Sequence, residues 1–130
     1  MFDKEKVATI DKISKEEKWP FPKILDELKN QGIDYYLTQV VTLETRYFAG
    51  NASSRVGHGN PGTKLEIAPE FNESSIQELV KNYLQEGPNF NEFLENLAKA
   101  GVKFFRVDVV HRSATFSGGK PGESHLQKVA

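Results

Sequence analysis

Apolar side chains in the first fifty residues follow two different periods. Helical spacing predicts one helix over about residues 4–15 and a second from Pro22, whose fixed φ suits a first helical turn. The apolar positions of the first helix are Val7, Ile10 and Ile13. Gly32 is placed to end the second helix in the left-handed conformation. After it the period shortens to two, which predicts strands over residues 33–41 and about 45–48.

The same order of patterns recurs 69 positions later. The segment FPKILDELKNQGIDYYLTQVV, which begins at Phe21, aligns without a gap with FNEFLENLAKAGVKFFRVDVV, which begins at Phe90. The matched positions are mainly apolar residues and glycines, which are the positions that a fold constrains. The corresponding predictions are a helix over about residues 73–85, a second helix with the stripe Phe93, Leu94 and Leu97 that Gly101 ends, and strands over residues 102–110 and about 113–116. We therefore expect one domain, residues 1–130, made of two structural repeats, 1–69 and 70–130.

A weaker alternating pattern predicts a third strand in each repeat, over residues 64–68 and 125–129. A ribbon of two or three strands is only marginally stable alone, and the helices need a surface on which to bury their apolar stripes. Both ribbons are therefore expected to join in one antiparallel sheet with the helices on one face. The predicted fold class is α+β, a two-layer domain with internally duplicated α-α-β-β-(β) units.

Composition and charge narrow the classes of function. The chain has 17 basic and 18 acidic side chains and a net charge of −1, a balance that predicts no nucleic-acid partner. It has no cysteine, which excludes disulfides and thiolate chemistry. Its first ten residues, MFDKEKVATI, do not resemble a signal segment, and no apolar run is long enough for a membrane span. We expect a cytoplasmic protein without a membrane partner.

Two segments near the N-terminus are interpreted as structural. The charged run DKEKVATIDKISKEEK is typical of a solvated helical face. Trp19, in KWPFPK, is expected to pack as a wedge between the first two helices. Neither segment is predicted to bind a ligand.

Alternate residues of the predicted strands divide into an apolar set and a mixed set. The apolar set, which is Tyr36, Thr38, Val40, Phe105, Val107 and Val109, is assigned to the helix-covered face. The candidate ligand-binding residues on the opposite face are Tyr35, Gln39, Phe104, Arg106 and Asp108. One interpretation is a solvated sheet face on which Arg106 and Asp108 form a weak surface pair. The other is a shallow binding surface with Tyr35 and Phe104 as stacking walls and the polar residues as anchors.

The segment GNASSRVGHGNPG, residues 50–62, is the longest irregular stretch. Its glycines spell G-x-G-x-x-G, but Pro61 and the strand-like KLEIA that follows exclude the dinucleotide motif, which needs a helix there. A flexible hairpin loop is expected. The alternative is a lid whose Ser53, Ser54, Arg55 and His58 close over the sheet face, which makes His58 a sixth candidate ligand residue.

The histidines give no metal or catalytic motif. None has the spacing of zinc ligands, so neither a metal nor a cofactor is predicted. Asp108 and His111 stand three residues apart at a strand end, which predicts that they lie on opposite faces.

Three segments carry a family resemblance. F-x-x-I-L-x-x-L-K-x-x-G-I-x-Y-Y from Phe21 to Tyr36, T-R-Y-F-A-G-N from Thr45 to Asn51, and F-x-x-F-L-x-x-L-A-K-A-G-V-x-x-F-x-V-D from Phe90 to Asp108 resemble the YdfO-like family of uncharacterised bacterial and prophage proteins. Some members of that family carry the label "phage envelope protein". The resemblance implies a small cytoplasmic bacterial protein with a duplicated α+β fold, and it supplies no catalytic residues.

The leading functional hypothesis is a non-enzymatic binding or interaction module that uses the open sheet face for a small molecule or a peptide. A second hypothesis is an enzyme of undefined reaction class in which Asp108 works with the loop histidine His58. A third is a homodimer whose sheet face is the subunit interface.

Overall fold

A computed structural model describes residues 3–57, 64–86 and 89–129. The elements in chain order are α1 (Lys4–Glu16), α2 (Phe21–Asn30), β1 (Tyr35–Gln39), β2 (Glu44–Ala49), β3 (Ala52–Gly57), α3 (Glu73–Glu86), α4 (Phe90–Lys99), β4 (Phe104–Asp108), β5 (Ser113–Ser117) and β6 (Ser124–Lys128). The strands form one antiparallel sheet in the order β3-β2-β1-β4-β5-β6. The predicted α+β class is confirmed.

The two central strands, β1 and β4, pair so that Leu37 lies opposite Arg106. These two residues are 69 positions apart. A shift of 69 positions also converts the pair Tyr35 and Asp108 into the pair Phe104 and Gln39, so the pairing of β1 with β4 is symmetric. The order helix, helix, strand, strand, strand occurs in both halves of the chain. The duplication that this order implies stays a prediction.

Local sequence explains where the helices begin and end. The side chain of Asp3 accepts hydrogen bonds from the backbone N–H groups of Glu5 and Lys6 and so caps α1. Gly32 and Gly101 follow α2 and α4 with φ angles of +83° and +90°. The left-handed conformation is open to glycine at little cost, which is why both helices end there.

The core lies between the helices and one face of the sheet. Buried strand residues on this face are Tyr36, Thr38, Thr45, Tyr47, Phe105, Val107, Ala114 and Phe116. They pack against helical side chains that include Val7, Leu25, Leu28, Ile76, Leu94 and Leu97. Residues at the alternate positions of β1, β2, β4 and β5 are exposed or half-buried, so none of the described helices covers the other sheet face.

The third strand of the first half is not where the sequence predicted it. Residues 64–68 form no strand, because only isolated backbone bonds hold them, from the N–H of Leu65 to Val41 and of Ala68 to Ala98. Leu65 and Ile67 pack against the core instead of joining a ladder. The third strand is β3, which lies inside the segment predicted to be a loop. In the second half, β6 confirms the strand predicted at residues 125–129 to within one residue.

Candidate functional site

The exposed face of β1 and β4 carries five of the six predicted site residues. Tyr35 lies opposite Asp108, and Gln39 lies opposite Phe104, with Arg106 between them on β4. The sixth residue, His58, lies outside the described residues. The structure therefore brings five predicted residues onto adjacent strands, and their role in binding a ligand stays a prediction.

Tyr35 is enclosed by its neighbours. Its ring stacks on Phe48, with centroids 4.5 Å apart and planes 12° apart. The guanidinium carbon of Arg106 lies 4.2 Å from the same centroid. Because Phe48 is on β2 and Arg106 is on β4, the two flank the Tyr35 ring from either side. The predicted stacking wall already has protein partners, and Arg106 stacks on this ring instead of pairing with Asp108, so the interpretation of a surface pair is wrong.

Asp108 and His111 interact directly, and the prediction that they lie on opposite faces is wrong. One Asp108 oxygen accepts the His111 backbone N–H at 2.9 Å, and the other lies 2.9 Å from ring atom Nδ1. The chain reverses here, with Arg112 at φ +55° and its N–H bonded to the Asp108 carbonyl, which returns His111 to the carboxylate. Burial raises the pKa of Asp108, but the hydrogen bonds and charge of His111, together with the Val110 backbone N–H, outweigh it and hold that pKa below its ordinary value.

A second candidate site, which the sequence pattern did not predict, lies on the helix-covered side of the sheet. A pocket of about 680 Å³ opens between α1, α2, the covered face of β1 to β3, Tyr83 of α3 and the start of α4. Its aromatic walls are Trp19, Phe21, Tyr36, Tyr47, Tyr83 and Phe90. This volume is in the range of small-molecule sites. We call it the Asp11 pocket, after the carboxylate on its wall.

Asp11 is a buried charge with two strong partners. It is 6% exposed, and one of its oxygens lies 2.7 Å from Nζ of Lys15 and accepts the hydroxyl of Tyr47 at 2.5 Å. Tyr47 is itself 5% exposed on β2. A carboxylate is costly to bury unless it is paired and hydrogen-bonded, and both conditions are met here. The pair fixes α1 against β2 at the base of the pocket.

Three phenols surround this carboxylate. Burial is the largest cause that raises the pKa of Tyr36, Tyr47 and Tyr83, and the negative charge of Asp11 raises each of them further. The neighbouring phenol of Tyr83 also raises the pKa of Tyr36. The hydroxyls therefore keep their protons at neutral pH and are available as hydrogen-bond donors.

Two of these hydroxyls have no hydrogen-bond partner within residues 3–57, 64–86 and 89–129, namely those of Tyr36 and Tyr83. In the same part of the chain, every side-chain nitrogen or oxygen that is fully buried has a partner. The Tyr36 hydroxyl must therefore reach open space, although the residue is only 8% exposed and lines the pocket. The pocket thus offers unused donors from its own wall.

The sequence held a signal for this site. Asp11 follows Val7 by four residues and adjoins Ile10, which places it on the buried stripe of α1. It was interpreted as part of a solvated face because the run around it is rich in charge. Trp19, predicted to be a packing wedge, is half-buried and lines the pocket.

Two kinds of feature are absent from the described part of the chain. None of its helices combines the length and apolar character that crossing a membrane requires. No three side chains of His, Cys, Asp or Glu in it are grouped so that they could hold a metal ion.

Comparison with known proteins places the chain in a family. A search of curated proteins found no match. A family model described as "Protein of unknown function (DUF1398)" matches residues 8–118. The matched span includes Asp11, the three phenols of the pocket and both central strands. The chain belongs to this family of proteins of unknown function.

Proposed function

We propose that the protein is a non-enzymatic binding module that takes a small molecule into the Asp11 pocket. The observation that carries this proposal is the hydroxyl of Tyr36, which lacks a partner among the described residues although the side chain is 8% exposed. This hydroxyl faces open space in the pocket, so it is an unused donor that a ligand can engage. The proposal keeps the predicted class of function and moves the ligand to the helix-covered face.

The groups around the unused donors are held in place, which also supports binding. Asp11 positions Lys15 and Tyr47 by direct bonds. The Tyr83 ring stacks on Phe93 with centroids 4.2 Å apart and planes 16° apart. Side chains fixed in this way lose little conformational entropy when a ligand binds, which raises affinity.

A thermal-shift screen with a metabolite library tests the proposal, with two tyrosine variants as a matched pair. Tyr36→Phe removes a hydroxyl from the pocket, and Tyr35→Phe removes one from the opposite sheet face. We expect hits to raise the melting temperature of the native protein and of Tyr35→Phe equally. Affinity for Tyr36→Phe should fall by about tenfold, the worth of one good hydrogen bond. A library without hits, or hits weakened by Tyr35→Phe and not by Tyr36→Phe, would overturn the proposal.

The exposed sheet face is a second candidate for the same class of function, and one observation favours it. Arg46 and Arg106 lie on either side of Leu37, directly opposite it on the two neighbouring strands. Neither arginine has a salt bridge to a described residue. Two such cations beside an aromatic stack suit a small molecule or peptide with an acidic group. Arg106→Ala should then weaken a hit at least as much as Tyr36→Phe does.

Other expectations from the sequence remain proposals. The segments that begin at Phe21 and Phe90 support a YdfO-like, bacterial and prophage-associated origin. The cytoplasmic location, the enzyme built on Asp108 and His58, and the homodimer through the sheet face stay predictions. Light scattering decides the last, since the interface requires a mass of twice 14.6 kDa.

A further inference from the structure

The polar groups around the Asp11 pocket differ in charge and in hydrogen-bonding role. Donors predominate on its wall, in the form of the hydroxyls of Tyr36 and Tyr83 and the ammonium groups of Lys12, Lys15 and Lys18. Asp11 is the one carboxylate among the lining residues that the structure describes. With three lysines and one aspartate, the lining has a positive formal charge at neutral pH.

The carboxylate is already engaged. An Asp11 oxygen accepts from Tyr47 and lies against the ammonium of Lys15, so an incoming cation would compete with both. Displacement of Tyr47 would leave a buried donor without its partner, which is costly. The pocket is therefore poorly suited to an amine.

The remaining cations face no such competition. Neither Lys12 nor Lys18 forms a salt bridge with a residue in the described part of the chain. Both side chains belong to exposed residues at the rim, and both line the pocket. An anion that enters would gain attraction from these two lysines and hydrogen bonds from the two phenols.

The aromatic walls of the pocket favour a ligand of a particular shape. Trp19, Phe21 and Phe90 line the pocket together with the phenol rings. Aromatic side chains pack best against flat rings, in offset-stacked or edge-to-face geometry. A planar ligand would bury most of its apolar surface among them.

We infer that the ligand of the Asp11 pocket is a planar organic anion, an aromatic or conjugated ring that carries a carboxylate. The ring lies among the aromatic walls, and the carboxylate accepts from the phenols within the field of the lysines. This inference rests on the proposed function and names the chemical class of its ligand.

Calorimetric titration with three probes of one shape tests the class. The probes are 2-naphthoate, 2-naphthamide and 2-(aminomethyl)naphthalene, which share a ring and differ in charge. We expect 2-naphthoate to bind at least about tenfold more tightly than the neutral amide, and the amine to bind more weakly than either. The preference for the anion should shrink at high salt, because the lysines at the rim are exposed.

Lysine variants supply the matched control. Lys12→Gln/Lys18→Gln should weaken 2-naphthoate by about tenfold and leave the amide unchanged. Lys81→Gln removes the exposed lysine that stands 69 positions after Lys12, outside the set of lining residues, and should change neither. An amide or amine that binds as tightly as the anion would overturn the anionic class and leave small-molecule binding intact. If none of the three binds while other library compounds do, the planar anion is also wrong, and if nothing binds, both proposals fail.

Discussion

The two halves of the chain bury different kinds of side chains between the sheet and the helices. In the first half the buried side chains include Asp11, Tyr36, Thr38, Thr45 and Tyr47. The residues 69 positions later are Val80, Phe105, Val107, Ala114 and Phe116, and all of them are buried as well. Each of these five residues therefore has an apolar counterpart in the second half, at a matching place in the sheet or on the helix above it. Buried Ser14 differs, because the residue 69 positions later is Tyr83, which also lines the pocket.

This difference separates what the fold needs from what a site needs. The second half shows that helices and strands in this order pack with an apolar interior alone. A buried carboxylate and buried hydroxyls add desolvation costs that apolar residues avoid. Asp11, Tyr36, Thr45 and Tyr47 line one pocket, to which the second half adds Tyr83, and this grouping is the pattern expected of a binding site.

The largest expected effect comes from the glycines that end α2 and α4. A Cβ on Gly101 would lie 2.2 Å from the carbonyl oxygen of Glu70, whereas a Cβ on Gly32 would have no atom within 4 Å. Both residues have positive φ, so each alanine adds strain of about 1–2 kcal/mol. We expect Gly101→Ala to lower the free energy of unfolding by about 4 kcal/mol and Gly32→Ala by about 1–2 kcal/mol, measured in urea. Equal losses would show that the two halves tolerate the same change.

The next effect tests the buried carboxylate against its apolar counterpart. Asp11→Ala leaves Lys15 and the buried hydroxyl of Tyr47 without an acceptor, which should lower the free energy of unfolding by about 2–3 kcal/mol. Asp11→Val/Tyr47→Phe copies Val80 and Phe116 of the second half. Because the double variant removes both buried partners, we expect it to be more stable than Asp11→Ala and yet to lose affinity for screening hits.

Urea unfolding of the single and double variants, with a titration of one hit, gives both quantities. Tyr47→Phe alone completes a double-mutant cycle for the bond. A double variant that is less stable than Asp11→Ala would mean that the polar pair is needed for the fold. The difference between the two halves would then reflect the needs of the fold and not those of a binding site.

The smallest effect concerns alkaline pH. Burial raises the pKa of Tyr36 and Tyr47 well above 10.0, so the unfolded chain releases these protons first as pH rises. Their contribution to stability is complete below about pH 10 and declines above it. We expect Tyr36→Phe to lose less stability than the native protein between pH 8 and pH 11. Tyr35→Phe serves as the control. If the free energy of unfolding of Tyr36→Phe declines with pH as much as that of the native protein, Tyr36 does not have a raised pKa.

Periodicity predicted much of the fold because its signals are local. The helices, the glycines at 32 and 101, and the alternation that separates Tyr35 from Tyr36 all depend on residues near in sequence. β3 was missed because Ala52–Gly57 is small and polar, and its pairing with β2 is made by the backbone. Backbone hydrogen bonds between two strands give no signal in the pattern of side chains.

The site was harder to predict because tertiary contacts create it. Asp11 is buried by β2 and by its neighbours on α1, and nothing in a charged run indicates which carboxylate the sheet will cover. The partnership of Asp108 with His111 depended in the same way on a turn geometry that spacing alone did not reveal. Aligning Asp11 with Val80, 69 positions later, would have marked it, since the first residue is charged and the second is apolar.

The most direct test of the polar half as the binding site is a two-dimensional NMR titration of the ¹⁵N-labelled protein with the strongest hit. We expect the backbone shifts to change along α1, at the start of α2 and at Thr45 and Tyr47 of β2, and to stay constant in β5 and β6. Changes centred on the exposed residues of β1 and β4, or in β5 and β6, would contradict the account.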